Sequence, residues 1–287
     1  MQAQIYPGRQ DPPDWNNPGL TQINRMQAHA HQIPFPDMAS CRHAATGNRL
    51  LMSPYIISLD GPWDFRFYAN ILHLPENILS FRSGFEKRSV PDKMSGLGAR
   101  LFPQHEKKQA RYPFPVMPPL VPPEQPVLVY RRTCHMPGLW SGLRKHLVLQ
   151  GIRSAFHVFA NGRPVGYSSG SGLPAEFDLT QHLHDGDNEL FLLVYPLSTG
   201  SYFEPSSCLN TPGIMHGVYL EAVPAISLQD CQIRTTWLAE KACWRLDVRL
   251  TIISSRISMD QPHAIFSLRF DDQVIEEKKW RISLIPA

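Results

Sequence analysis

The stretch that decides the fold is Phe156-His-Val-Phe-Ala-Asn-Gly-Arg-Pro-Val-Gly-Tyr167. Two short runs of β-branched and aromatic residues flank Asn161-Gly162. That pair tolerates the positive φ values of a type I′ turn, so the stretch reads as two antiparallel strands joined tightly. A second turn, Asp185-Gly-Asp-Asn188, precedes the apolar run Leu190–Tyr195, which is strand-sized. Outward from these the same pattern recurs, with candidate strands at Tyr55–Leu59, Trp63–Tyr68, Val127–His135, Lys145–Leu149 and Gly217–Ala222. Three more follow at Gln229–Trp237, Trp244–Ile253 and Ala264–Phe270. Many short strands punctuated by turns specify an all-β sandwich. Helix signals are few, and Asp178-Leu-Thr-Gln-His-Leu183 reads as a single turn capped by Asp178.

The 27 prolines cluster at Pro12–Pro36 and Pro113–Pro126. Proline fixes φ and removes a ladder donor, so these stretches are expected to be extended and irregular: an N-terminal arm over residues 1–50 and a long loop. Proline also interrupts the strand pattern at Ala222-Val-Pro-Ala225, which places a boundary between a domain of residues 51–222 and a second of residues 223–287. Only 65 residues follow Ala222. An immunoglobulin-like sandwich needs about 100 residues, so the second domain is expected to be cut short, with an apolar face and strand edges exposed.

A hydrophobic share of 43% and a charged share of 18% describe a folded chain. The net charge is +3 from 28 basic and 25 acidic residues, and the cations are scattered rather than gathered, which argues against a nucleic-acid partner. No apolar run approaches the roughly 20 residues of a membrane span. The N-terminus lacks the basic and apolar regions of a secretory signal, so the cytoplasm is the expected location. The five cysteines form no C-x-x-C pair and read as isolated reduced thiols.

Chemistry-bearing constellations are hard to find. Glycosidases need two carboxyl groups about 5–9.5 Å apart. Glu176 and Asp178 alternate and could share a face, yet a turn cap and a surface charge explain them more simply. Ser168-Ser-Gly-Ser-Gly172 follows a hairpin instead of opening a helix, so it is neither a nucleophile elbow nor a phosphate loop. The 12 histidines include no H-E-x-x-H, and no metal site is expected. Tyr202, Phe203 and Glu204 mix rings with a carboxylate as sugar sites do, although core packing suits the rings better.

Several ordered motifs resemble glycoside hydrolase family 2, and within it the large bacterial β-galactosidases. They are Asp14-Trp-Asn-Asn-Pro-Gly-Leu-Thr-Gln-Ile-Asn-Arg25, Ser58-Leu-Asp-Gly-Pro-Trp-Asp-Phe65, Pro122-Pro-Glu-Gln-Pro126 and Val129-Tyr-Arg-Arg132. Gly151 through Tyr167 is the most specific, followed by Leu173–Leu179, Gly186–Leu190, Gly200-Ser-Tyr-Phe-Glu204 and Gly213-Ile214. The resemblance implies a jelly-roll sugar-binding domain, then an incomplete immunoglobulin-like domain. The family's catalytic barrel, with its two glutamates and magnesium, would lie beyond this chain, so no catalytic residue and no cofactor is expected here.

The family's first domain also lends its active site an asparagine and an aspartate that binds substrate and sodium. Those positions hold Gln125 and Ser207, and with Glu204 they read by resemblance as degenerate remnants of substrate binding. Serine lacks the aspartate's charge, which puts sodium in doubt. Leu209 replaces an expected tryptophan, His216-Gly217 an arginine-aspartate pair, and Val90-Pro-Asp-Lys-Met-Ser95 and Gln104–Gln109 also depart from the pattern. The expected reading is the non-catalytic N-terminal portion of a β-galactosidase, inactive alone. Its partners would be a weakly bound β-galactoside and a complementing chain or a second copy joined through the arm. A stand-alone carbohydrate-binding module remains the alternative.

Overall fold

The computed structural model describes residues 12–44, 52–92, 112, 114–204, 211–254, 263–270 and 273–281. In chain order the elements begin with β1 (Gln22–Ile23), α1 (Met38–Ala44), β2 (Ile56–Ser58), β3 (Gly61–Tyr68), β4 (Glu86–Val90), β5 (Val127–Met136) and β6 (Arg144–Leu149). They continue with β7 (Ile152–Arg153), β8 (Ala155–Ala160), β9 (Arg163–Ser168), β10 (Ala175–Asp178), β11 (Gly186–Tyr195), β12 (Gly213–Ile214) and β13 (Val218–Val223). Last come β14 (Ile226–Leu238), β15 (Cys243–Ser254), β16 (His263–Phe270) and β17 (Gln273–Arg281). Contacts divide the chain into two compact units, one of residues 1–28 and 34–222, the other of residues 29–33 and 223–287.

The first unit is the all-β sandwich that the sequence specifies. A seven-stranded sheet in the order β1-β9-β8-β11-β5-β3-β4 packs on a four-stranded sheet, β10-β6-β13-β2. The deciding hairpin joins β8 to β9, with φ of 49° at Asn161 and 75° at Gly162, as a type I′ turn requires. The Asp185–Asn188 turn is held by its own asparagine: Asn188 Nδ2 donates to the carbonyls of His184 (2.7 Å) and Gly186 (2.9 Å). The capped turn is present too, with Thr180 N donating to Asp178 Oδ1 (2.8 Å) and His182 N to the Leu179 carbonyl (2.9 Å).

Strand β11 is buried on both faces. Leu190, Leu192 and Val194 join Phe156, Val158, Leu147, Phe177 and Leu220 in the core between the sheets. Phe191, Leu193 and Tyr195 point the other way, into a second core with Trp15, Ile71, Ile78, Phe114 and Val121. The proline-rich arm therefore does more than run extended over the surface. Trp15 is 1% exposed and stacks on Tyr195 with ring centroids 4.5 Å apart. Asn16 exchanges two 2.8 Å hydrogen bonds with the Val121 backbone. Asp14 Oδ2 lies 2.8 Å from His157 Nε2, and His157 Nδ1 lies 3.0 Å from the Tyr195 hydroxyl. A carboxylate only accepts, so Nε2 carries the proton and Nδ1 accepts from Tyr195.

Farther along, the arm staples the edges of both sheets. Gln22 and Ile23 pair with Ser168 and Tyr167 on β9, whereas Arg25 bridges to Phe177 on β10. Between them Asn24 turns the chain at φ 53° and donates to the Val165 carbonyl (2.8 Å). The approach is close enough that a Cβ on Gly166 would lie 2.4 Å from the Ile23 carbonyl oxygen and 2.6 Å from the Phe177 ring, so only glycine fits.

The second unit consists of two hairpins, β14 with β15 and β16 with β17. Among the described residues from 223 on, none is buried. Trp237 and Trp244 face each other across the first hairpin at 5.3 Å and are 50% and 69% exposed; Ile233, Ile265, Ile275 and Trp280 are exposed as well. No helix among the described residues is long and apolar enough to cross a membrane.

Trp15→Ala is expected to cost about 3–5 kcal/mol in denaturant unfolding, the range for large aromatic truncations in a core. Burial pushes His157 below its ordinary value of 6.5, against the opposing bond and charge of Asp14. The unfolded imidazole takes up a proton that the folded one refuses, so stability from this site is complete above 6.5 and is lost as pH falls from there toward the folded value. The unfolding midpoint should drop between pH 7 and 5, with a shallower slope in His157→Phe. Hydrogen exchange should separate the units: amides of β14–β17 are expected to exchange well before those of β8 and β11, and equal protection would contradict the exposed surfaces described above.

Candidate functional site

At one end of the first unit the segments around residues 150–154, 169–173, 198–204 and 211–217 converge. A 3-10 turn, Thr199–Phe203, delivers Glu204 to this place. The turn is closed by Ser198, whose carbonyl accepts from Ser201 N (2.9 Å) and whose N–H donates to Ser201 Oγ (3.0 Å). Glu204 Oε1 accepts from Ser154 Oγ (3.1 Å), and Oε2 accepts from Ser171 Oγ (2.9 Å). Ser154, itself 1% exposed, also bonds the Ser198 hydroxyl at 2.9 Å. Alongside, Arg153 Nη1 donates to Thr211 Oγ1 at 2.6 Å.

Burial pushes the Glu204 carboxyl above its ordinary value, while the two serine hydroxyls and the charge of Arg153 act against the rise. Among the described residues, no second carboxylate contributes to that shift. The arrangement suits holding a loop or accepting a hydrogen bond from a ligand. Next to Glu204, Phe203 is 92% exposed, a free ring face of the kind that sugars stack on.

Gln125 has a different setting. It is 1% exposed; its Nε2 donates to the Leu197 carbonyl (3.0 Å) and its Oε1 accepts from Leu197 N (2.8 Å). Both ends of the amide stitch the segment before β5 to the end of β11. Tyr202 is also structural: its hydroxyl donates to the Leu120 carbonyl (2.6 Å), and its ring packs edge-on against Tyr112 and Phe114. Ser207 and Leu209 lie outside the described residues, as do Lys93–Ser95 and Gln104–Gln109. The sequence alone assigns no site role to Ser154, Ser171 or Arg153. Their signal was present in Gly151-Ile-Arg-Ser154 and Ser168-Ser-Gly-Ser-Gly172, but nothing local says that two serines 17 residues apart will share one carboxylate.

Among the described residues no group of three or more His, Cys, Asp or Glu side chains could hold a metal.

The family profile described as "Glycosyl hydrolases family 2, sugar binding domain" matches residues 56–224. The chain belongs to glycosyl hydrolase family 2. A β-galactosidase of Alteromonas mediterranea is 34% identical over 240 residues, which cover 81% of this chain and 22% of that protein. A β-galactosidase of Leuconostoc mesenteroides is 35% identical over 225 residues, covering 77% and 21%. The chain thus spans about a fifth of the length of these curated relatives. Among solved structures, a calcium-binding mutant of Bacteroides uniformis β-glucuronidase 2 superposes with a TM-score of 0.59 at 18% identity, over 80% of this chain and 26% of that one. A Ruminococcus gnavus β-glucuronidase gives 0.57 at 15% identity, over 88% and 39%. At such identities the likeness shows a shared fold.

The family 2 domain's Glu204 yields a paired test. Glu204→Gln keeps an acceptor and removes the buried charge, so its stability at pH 7 is expected to stay within about 1 kcal/mol of the parent. Glu204→Ala strips the acceptor from Ser154 and Ser171 and should cost about 1–2 kcal/mol. Because the folded carboxyl binds its proton more tightly than the unfolded one, its contribution is complete below 4.5 and is lost as pH rises through the folded value. The parent should therefore gain on Glu204→Gln as pH falls from 7 to 5 in urea melts.

Proposed function

We propose that this chain acts as the N-terminal, non-catalytic portion of a β-galactosidase-type glycoside hydrolase of the cytoplasm, and that it is inactive alone. The observation that carries the reading is the 34–35% identity to β-galactosidases over about four fifths of this chain, matched to only 21–22% of theirs. In this reading Gln125, Glu204 and Ser207 are remnants of a substrate-facing edge. Gln125 fits that role poorly as a present contact, since both ends of its amide are committed to Leu197. Catalytic glutamates, magnesium and sodium would come from the rest of a full-length enzyme, in the same chain or a complementing one. The first unit would then supply a rigid platform and an edge for that partner, or for a second copy.

A second reading, a stand-alone carbohydrate-binding module, is favoured by the exposed ring of Phe203 beside Glu204. One assay separates the two: hydrolysis of a chromogenic β-galactoside by the purified chain, alone and mixed with a β-galactosidase lacking its N-terminal domains. No turnover alone and turnover in the mixture are expected. Turnover by the chain alone would refute the non-catalytic reading, and silence in both, with a β-galactoside still bound, would favour the module.

A further inference from the structure

The first unit carries a polar groove at the end remote from Glu204. Strand β8 separates the two ends: Ser154 precedes it beside Glu204 and Asn161 follows it at the other end, about 20 Å away at roughly 3.3 Å per strand residue. The groove has a volume of about 730 Å³, inside the range of roughly 300–1,000 Å³ for small-ligand sites. Its floor is Arg131 on β5 and Glu189 on β11, whose side chains are 14% and 15% exposed and meet at 2.6 Å. Arg82 reaches over the wall to Glu189 Oε2 at 2.9 Å, and Asp64 takes Arg131 Nη1 at 2.6 Å. Exposed Thr133 and Asp187 line the floor nearer the turns, and Leu79 is the apolar residue of the lining.

The chemistry of this lining selects a ligand class. Both arginines are matched by carboxylates that lie against them, and Glu76 and Asp187 leave the lining with one more acid than base, so the groove offers no surplus positive charge to an anion, which would have to break one pair to make another. A neutral polyol does not face that cost. Arg131 has five N–H donors and spends two groups, Nε and Nη1, on its carboxylates. Glu189 keeps lone pairs beyond those engaged, so vicinal hydroxyls can donate to it and accept from the Arg131 guanidinium while the ion pair stays intact. We propose that this groove is a binding site for a neutral mono- or disaccharide, separate from the Glu204 end. The proposal goes beyond the β-galactosidase reading and does not rest on it. With one apolar contact in the lining, affinity in the millimolar range is expected.

The test is an amide NMR titration of the full 287-residue chain with methyl β-galactoside and with lactose, to tens of millimolar. Saturable shifts at Thr133, Gly162 and Asp187 are expected. Thr133→Trp, which fills the groove from an exposed strand position directly opposite Glu189, should weaken binding tenfold or more. Asp187→Ala, also exposed, serves as the second variant if the tryptophan disturbs the fold, and should weaken binding at least threefold. Shifts confined to Ser171, Gly172 and Phe203, unaffected by either variant, would overturn the groove while leaving sugar binding at the other end. No shift at all would overturn it too, as would preferential binding of glucuronate or inorganic phosphate, which would mark the groove as an anion site. The complementation assay reads none of these amides, so the two proposals fail separately.

Discussion

The outer face of the seven-stranded sheet has to be covered, and much of the architecture answers that requirement. Phe191, Leu193 and Tyr195 alternate with the residues that fill the sandwich, so burying one face of β11 leaves the other as apolar as a core. Leaving such side chains in water would forgo roughly 1.5–3 kcal/mol apiece. Trp15, Ile71, Ile78, Phe114 and Val121 are brought in from three separate segments to form the cover. Polar pairs then fix what hydrophobicity alone would leave sliding: Asn16 on the Val121 backbone, Asp14 on His157, Gln125 on Leu197.

That cover also divides the polar surface. The outer face is apolar where the arm and loops lie and changes, along the same strands, to a row of Lys87, Asp64, Arg131 and Glu189 joined side by side at 2.6 Å. Lys87 and Arg131 hold Asp64 below its ordinary value even though burial alone would raise it. Glu204, at the opposite end, moves the other way because its burial outweighs two serine hydroxyls and the charge of Arg153. Two half-buried carboxylates in one sandwich thus take opposite electrostatic settings, and their neighbours decide which.

What was legible in the sequence was local. Asn161-Gly162, the turn of Asp185–Asn188 and the short β-rich runs each encode their geometry within a few residues, and the sandwich follows from them. Strands β1, β7 and β12, of two residues each, carry no period to read, and they exist because of partners far away in sequence. The arm is the clearest case, since proline density says "irregular" and cannot say that Trp15 will find Tyr195. Gln125 shows the converse: its position in a family motif suggests a ligand contact, while the fold turns both ends of its amide inward. Glu204 drew notice for its aromatic neighbours, but the serines that hold it come from two other segments.

The arm's docking has a consequence for the order of events during synthesis. Asp14 and Trp15 are translated well before their partners, since His157 lies 143 positions later and Tyr195 later still. The earlier segment must therefore wait, unsatisfied, until its partner strands have been translated, and long-range closures of this kind are intrinsically slow. Gly166 narrows the moment further, because the groove that receives Ile23 exists only once β9 and β10 lie side by side. In time as in space, the arm is a closing piece: residues 14–23 can dock only on strands that are already in place.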